Sequence, residues 1–218
     1  MSINIAIDGP SASGKSTIAD RLCYELDYKH LDTGAMYRCV ALMAKQNNVD
    51  YTDEVQLKNM MDEIEIDFTP EGNVLLNGKD VTSEIHTDEI SMLASTVSAE
   101  KAVREKLVKM QQDIASNKGY VMDGRDIGTV VLPDAEVKIF LTASVETRAR
   151  RRFLENQERG ISSNMRQLKK EIIDRDYQDT HRKLSPLKKA DDAIEIDSSD
   201  MTIEEVVDTI MKIVETKL

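Results

Sequence analysis

The segment Gly9-Pro-Ser-Ala-Ser-Gly-Lys-Ser-Thr17 gathers glycines, a lysine and hydroxyl side chains into nine residues. Gly9, Gly14, Lys15 and Ser16 fill the pattern G-x-x-x-x-G-K-[ST]. Such a loop can turn its backbone N–H groups onto phosphate oxygens, while the lysine reaches the β- and γ-phosphates and the serine hydroxyl binds Mg²⁺. The whole run Gly9, Pro10, Ser11, Ala12, Ser13, Gly14, Lys15, Ser16 and Thr17 is therefore the expected seat of a nucleoside triphosphate, with Ser16 as the metal ligand.

Three further groupings suit anions. The stretch 146–160, ETRARRRFLENQERG, holds Arg148, Arg150, Arg151, Arg152 and Arg159. On a helix Arg148, Arg151 and Arg152 share a face. A basic helix following a core strand could neutralise charge on a transferring phosphoryl group and exclude water; a solvated charged face is the plainer alternative. Arg175, Asp179 and Arg182 fall at i, i+4 and i+7, a spacing equally suited to a surface ion-pair stripe. In VMDGRDIGTVV (121–131) an apolar strand runs into Asp123, and Gly124 permits a sharp turn that projects Arg125 and Asp126 from the strand's carboxyl end.

The elements that must position these groups alternate. An apolar run at 3–7 precedes the glycine loop, and a helix over 15–26 carries Ile18, Leu22 and Leu26 at spacing four. A short strand at 29–31 leads to a helix over 33–46; buried strands follow at 120–123, 137–143 and 193–197. A C-terminal amphipathic helix presents Ile203, Val206, Val207, Ile210 and Ile213. Strand–helix alternation predicts an α/β fold with a parallel sheet covered on both faces. Residues 63–78 depart from it, alternating around a Pro-Glu-Gly-Asn turn as a small hairpin would.

Composition narrows the function. The net charge of −11 repels a nucleic-acid polymer, and 4% aromatics without tryptophan offer no stacking platform. Cys23 and Cys39 fit no metal-ligand spacing and read as reduced, buried thiols; His30, His86 and His181 form no motif and read as structural or surface residues. No targeting segment or membrane-length apolar span is visible, so a cytoplasmic protein away from membranes is expected, and nothing suggests a large apolar interface, so a monomer is expected. Among phosphate-loop proteins, a GTPase should carry N-K-x-D; NKGY at 117–120 lacks the aspartate.

GPSASGKST, LDTGAMYR (31–38), DGRDIGTVVLPDA (123–135) and the Arg/Asp helix, in this order, resemble the bacterial cytidylate kinase family over nearly the whole chain. The resemblance implies a P-loop NTPase fold with a five-stranded parallel sheet flanked by helices. It implies a single kinase domain with core 1–33, 101–147 and 166–218, a monophosphate-binding insertion with a small antiparallel sheet at 34–100, and a short helical lid at 148–165. It implies ATP and Mg²⁺ at the glycine loop with Lys15 catalytic, the monophosphate of CMP or dCMP on Arg38 and Arg125, and Tyr37 and Thr33 lining that side. Ser95, Arg104 and Asp126 would read cytosine, and Arg175 and Asp179 the pentose; Arg182, with lid arginines such as Arg148 and Arg152, would face the transferring phosphoryl group. The closely spaced lid arginines can be matched in more than one way.

Cytosine presents an N4 amino donor that suits the Asp126 carboxylate, where uracil offers an acceptor. The expected reaction is direct in-line transfer of the γ-phosphoryl group of ATP to CMP or dCMP, with positioning and charge stabilisation supplied by Lys15, the loop amides, Mg²⁺ and the arginines. The alternatives are a kinase for another small acceptor (UMP, AMP or shikimate) and an ATP-bound regulatory module.

Overall fold

The computed structural model describes residues 2–69 and 71–218. In chain order the elements are β1 (Asn4–Asp8), α1 (Lys15–Leu26), β2 (Lys29–Asp32), α2 (Thr33–Gln46), α3 (Glu54–Asp62), β3 (Ile66–Phe68), β4 (Val74–Leu76) and β5 (Lys79–Asp80). They continue with α4 (Asp88–Val97), α5 (Lys101–Ala115), β6 (Tyr120–Gly124), β7 (Val137–Thr142), α6 (Val145–Glu158), α7 (Met165–His181), β8 (Ile194–Asp197) and α8 (Ile203–Glu215). The chain divides into two compact units, Met1–Leu31 with Ala115–Leu218, and Asp32–Ile114.

The first unit is built on a five-stranded, all-parallel sheet in the order β2-β6-β1-β7-β8. This is the doubly covered α/β sheet that the alternating pattern predicts. β1 is its centre, flanked in parallel by β6 and β7, and all five of its residues are buried. A strand covered on both faces has no use for polar alternation, which explains the continuous apolar stretch Ile5-Ala6-Ile7 between Asn4 and Asp8. Ile5, Ile7, Val121, Ile139 and Leu141 pack against Ile18 and Leu22 of α1 and Val206, Val207, Ile210 and Val214 of α8. On α8 the expected stripe shifts slightly: Ile203 is exposed and Val214 is buried instead. Ile203 stands immediately after the cap, where the Thr202 hydroxyl accepts from Glu205 N–H and Glu205 accepts from Thr202 N–H.

Register does the positioning. Ile7 pairs with Asp123 and Asp8 with Gly124, so β1 and β6 end side by side and release the glycine loop and the Asp-Gly-Arg-Asp turn from the same sheet edge. Ligands of open α/β sheets bind at such carboxyl ends.

In the second unit α2 packs on α4, and Met36, Cys39, Leu57, Met61, Ile85 and Leu107 are fully buried. The small antiparallel sheet has three strands, β3-β4-β5, one more than the expected hairpin. Asn77 and Gly78, with φ of 49° and 78°, make the tight turn that adds β5. Pro70, expected in the other turn, lies outside the described residues. Among the described residues no helix is long and apolar enough to cross a membrane.

Cys39 is buried as expected and Cys23 only half-buried, yet desolvation pushes both thiols far up, Cys23 (with the Asp20 charge adding) and Cys39 each to about 12. At pH 8 the thiolate fraction is then about one in ten thousand. A colorimetric thiol reagent at pH 8 should therefore label the folded protein slowly and the guanidinium-unfolded protein rapidly at both cysteines. Native labelling at the rate of free cysteine would contradict this burial.

Candidate active site

The glycine loop leaves β1 through a position that admits no side chain. A Cβ on Gly9 would lie 2.0 Å from the Leu141 carbonyl oxygen of the neighbouring strand. Ala12 and Gly14 take left-handed φ of 58° and 94°, curling the loop before α1 begins at Lys15. No side chain caps that helix start, so its first N–H groups are available to an anion.

Lys15 is buried, and its Nζ donates to the Pro10 carbonyl at 2.8 Å and to Ser13 Oγ at 3.4 Å. Burial, reinforced by the Arg125 charge, lowers its pKa to about 7. The Ser16 hydroxyl donates to Asp123 Oδ2 at 3.0 Å. A hydroxyl and a carboxylate are the hard oxygen donors that Mg²⁺ takes, so these residues fit that ion. Asp32 is occupied otherwise, accepting from Ala35 N–H at 3.1 Å and from Arg38 at 2.7 Å.

The turn after β6 brings Arg125 to Asp179 of α7, Nε to Oδ2 at 2.7 Å. Burial would push the Asp179 carboxyl up, but Arg125, Arg175 and Arg182 hold it below the usual carboxylate range. Arg182 lies 3.7 Å from Asp126 Oδ1, an ion pair between two buried side chains, and donates from Nε to the Ser185 carbonyl at 2.7 Å. The expected stripe Arg175, Asp179, Arg182 thus forms one charge cluster with Arg125 and Asp126.

The arginines of α6 are more committed than their sequence suggests. Arg148 is buried; its Nε donates to the Ala143 carbonyl at 2.9 Å, and its terminal nitrogens grip Asp176 at 3.0 and 2.6 Å and the Ser11 carbonyl at 3.1 Å. Arg151 donates to the Ser13 carbonyl at 2.9 Å and to Ser198. Both brace the backbone of the glycine loop. Arg152 pairs along its own helix with Glu155 at 3.3 Å.

In the second unit Thr33, Tyr37 and Arg38 follow one another on the first turns of α2. The Arg38 Nε is buried and makes no hydrogen bond among the described residues. Arg104 of α5 lies over the Tyr37 ring at 5.6 Å and donates to the Ser98 carbonyl at 3.3 Å. Ser95 is half-buried on α4 and its carbonyl accepts from the Ser98 hydroxyl.

Sequence reasoning passed over Asp8, Asp176 and Ser198, read His30 as a structural or surface residue, and named Arg151 only for the face it shares with Arg148 and Arg152. Asp8 is the plainest omission: its carboxylate accepts from Ile127 N–H and Gly128 N–H, each at 2.7 Å, anchoring the π-helical turn Ile127–Val131 behind Asp126.

The family model for cytidylate kinase matches residues 5–216. The cytidylate kinase of Lactobacillus johnsonii is 52% identical over 218 residues, 99% of this chain and 95% of its own. That of Bacillus cereus is 52% identical over 215 residues, 97% and 96% of the two chains. Among solved structures, a shikimate kinase from Bacteroides thetaiotaomicron superposes with a TM-score of 0.52 at 12% identity over 99% of both chains. A protein from Eubacterium ventriosum gives 0.55 at 14% identity, again over 99% of both. At those identities the structural likeness speaks for the fold alone.

Burial raises Asp8 from 3.8 to about 6 against the pull of its two N–H donors, with Asp126 adding to the rise. A raised carboxyl favours folding in its protonated form: the contribution is complete below about pH 4 and lost as pH rises through 6. Relative to Asp8→Asn, the parent should therefore gain up to about 3 kcal/mol of unfolding free energy as pH falls from 7 to 4. Urea titrations of both proteins across that range measure it, and a constant difference would show that Asp8 does not titrate there in the folded protein.

Proposed function

Since the chain belongs to the cytidylate kinase family, we propose that it transfers the γ-phosphoryl group of ATP directly to CMP or dCMP. The observation that most supports this reading is the charge gathered at the carboxyl ends of β1 and β6, where Lys15, Asp123, Asp126 and Asp179 are all buried. Burying so many ionised groups is costly unless they are matched to one another and to a charged ligand.

In this reading the loop amides from Gly9 to Thr17 and the Lys15 ammonium bind the triphosphate of ATP. The Ser16 hydroxyl, beside Asp123, holds Mg²⁺, which when bound neutralises phosphate charge. Arg148 and Arg151 keep the loop carbonyls turned away from the phosphates. Arg38 and Arg125, with Thr33 and Tyr37, take the monophosphate; Ser95, Arg104 and Asp126 read cytosine, Asp126 accepting from N4; and Arg175 and Asp179 take the pentose. Arg182, with Arg152 and Arg148 of the lid, faces the phosphoryl group in flight; for Arg148 that requires release of Asp176. The acceptor is already an anionic phosphate, so no strong base is needed, and alignment with charge stabilisation is sufficient. The same reading makes the protein a cytoplasmic monomer acting on small molecules.

The test is ADP formation from Mg·ATP with CMP, dCMP, UMP, AMP or no acceptor. CMP and dCMP should stimulate strongly and UMP weakly. Asp126→Ala should lower the preference for CMP over UMP by about tenfold or more while ADP binding persists, because a buried acceptor for N4 is lost. Equal use of UMP by the parent would remove the base assignment, and the absence of stimulation by any acceptor would remove the reading.

A further inference from the structure

His30 belongs to no motif, yet it occupies both of its ring nitrogens beside the metal end of the site. Sheet order puts β2 next to β6, and there His30 Nε2 meets Asp123 Oδ1 at 2.8 Å while Nδ1 meets Asp20 Oδ1 of α1 at 2.7 Å. Carboxylate oxygens have no hydrogen to give, so both ring nitrogens donate and the ring is an imidazolium.

The other oxygen of Asp123 accepts from the Ser16 hydroxyl at 3.0 Å. The Asp123 side chain is 5% exposed and that of His30 18%, so little water competes for this contact, whereas Asp20 at 68% is the outer anchor. A carboxylate bonded at one oxygen can still swing about its last torsion; one bonded at both has its plane fixed. We infer that His30 is a positioning residue for the metal end of the site, holding the Asp123 carboxylate so that its second oxygen stays on the Ser16 hydroxyl. This rests on the reading that Ser16 binds Mg²⁺. Partners one step removed from a metal ligand commonly change its metal affinity by about tenfold or more when removed.

The chain Asp20–His30–Asp123–Ser16 can be cut selectively. In His30→Gln the amide stands where Nε2 stood and keeps the bond to Asp123; in His30→Asn it stands where Nδ1 stood and keeps only the bond to Asp20. Both variants lose the charge, so the pair separates positioning from electrostatics. The measurement is ADP affinity by calorimetry with and without MgCl₂, which needs no turnover. The factor by which Mg²⁺ tightens ADP should fall about tenfold in His30→Asn and stay near the parent value in His30→Gln, with ADP alone bound about equally by all three. Asp20→Ala, a change on the exposed face of α1, should lower the same factor less, and it preserves the test if His30→Asn does not fold.

An undiminished Mg²⁺ factor in His30→Asn, or in Asp20→Ala should that variant stand in for it, would overturn the inference. So would an equal fall in His30→Gln, which would make the charge rather than the bond responsible, or a loss of ADP affinity without the metal, which would make the ring a brace for the loop. If Mg²⁺ fails to tighten ADP on the parent protein, the Ser16 reading falls and the inference with it.

Discussion

One carboxylate ties the two chemical edges of the sheet together. Asp8, the last residue of β1, accepts the backbone N–H groups of Ile127 and Gly128 at 2.7 Å each, three and four residues beyond the end of its parallel neighbour β6. The glycine loop begins at the next residue, and Arg125 and Asp126 stand just before the turn that Asp8 holds. Buried N–H groups must be satisfied, and satisfying two with one ionised side chain fixes the turn against the strand. Gly128 is the complementary concession, since a side chain there would press on Lys138 and on Asp8 itself. The glycine loop and the Asp-Gly-Arg-Asp turn are thereby fixed relative to the same strand ends.

Around that tie, buried charges are matched to each other. Arg125 is held by Asp179, Arg148 by Asp176 and Asp123 by His30, which joins the turn after β6 to α7, α6 to α7, and β6 to β2. Removing either member would leave the other charged and buried, an outcome far more costly than loss of a surface pair. The arrangement is consequently rigid where it must aim donors. Arg148 and Arg151 extend it to the loop backbone, gripping the carbonyls of Ser11 and Ser13. A loop whose carbonyls are engaged behind it presents its N–H groups forward, which is what phosphate binding requires.

The elements were legible because each is written in local chemistry. The helices over 15–26 and 33–46 match α1 and α2 to the residue, since periodicity and the flanking glycine or aspartate mark their ends. Four of the five core strands were legible as apolar runs and β2 as a short strand ahead of Asp32, and the parallel arrangement followed from the alternation with helices; β8, expected to be buried, lies at the sheet edge with only Ile196 buried. The partnerships were not. Arg148 looks like a free lid cation in the sequence, and only the packing of α6 on α7 brings Asp176, 28 residues away, to its guanidinium. His30 looks like a stray surface histidine, and only the adjacency of β2 and β6 gives it Asp123, 93 residues away. β5 escaped notice because two exposed residues, Lys79 and Asp80, carry no hydrophobic pattern at all.

The same partnerships explain how a chain of net charge −11 can take phosphates. A long-range field of that sign repels nucleotides, so capture depends on cations presented at short range in a low-dielectric setting. Guanidinium groups left in water would lose much of their hydration energy on meeting a phosphate. Here that cost is met during folding: Arg125 is desolvated against Asp179, and Arg38 is held by Asp32 with its buried Nε unbonded. In the proposed reading an arriving phosphate would exchange with or add to a carboxylate partner and would not strip a full hydration shell, so binding would forgo the larger part of the desolvation penalty. The acidic residues would then serve the binding of anions, holding Arg125 and Arg38 charged and aimed until a phosphate takes up the same donors.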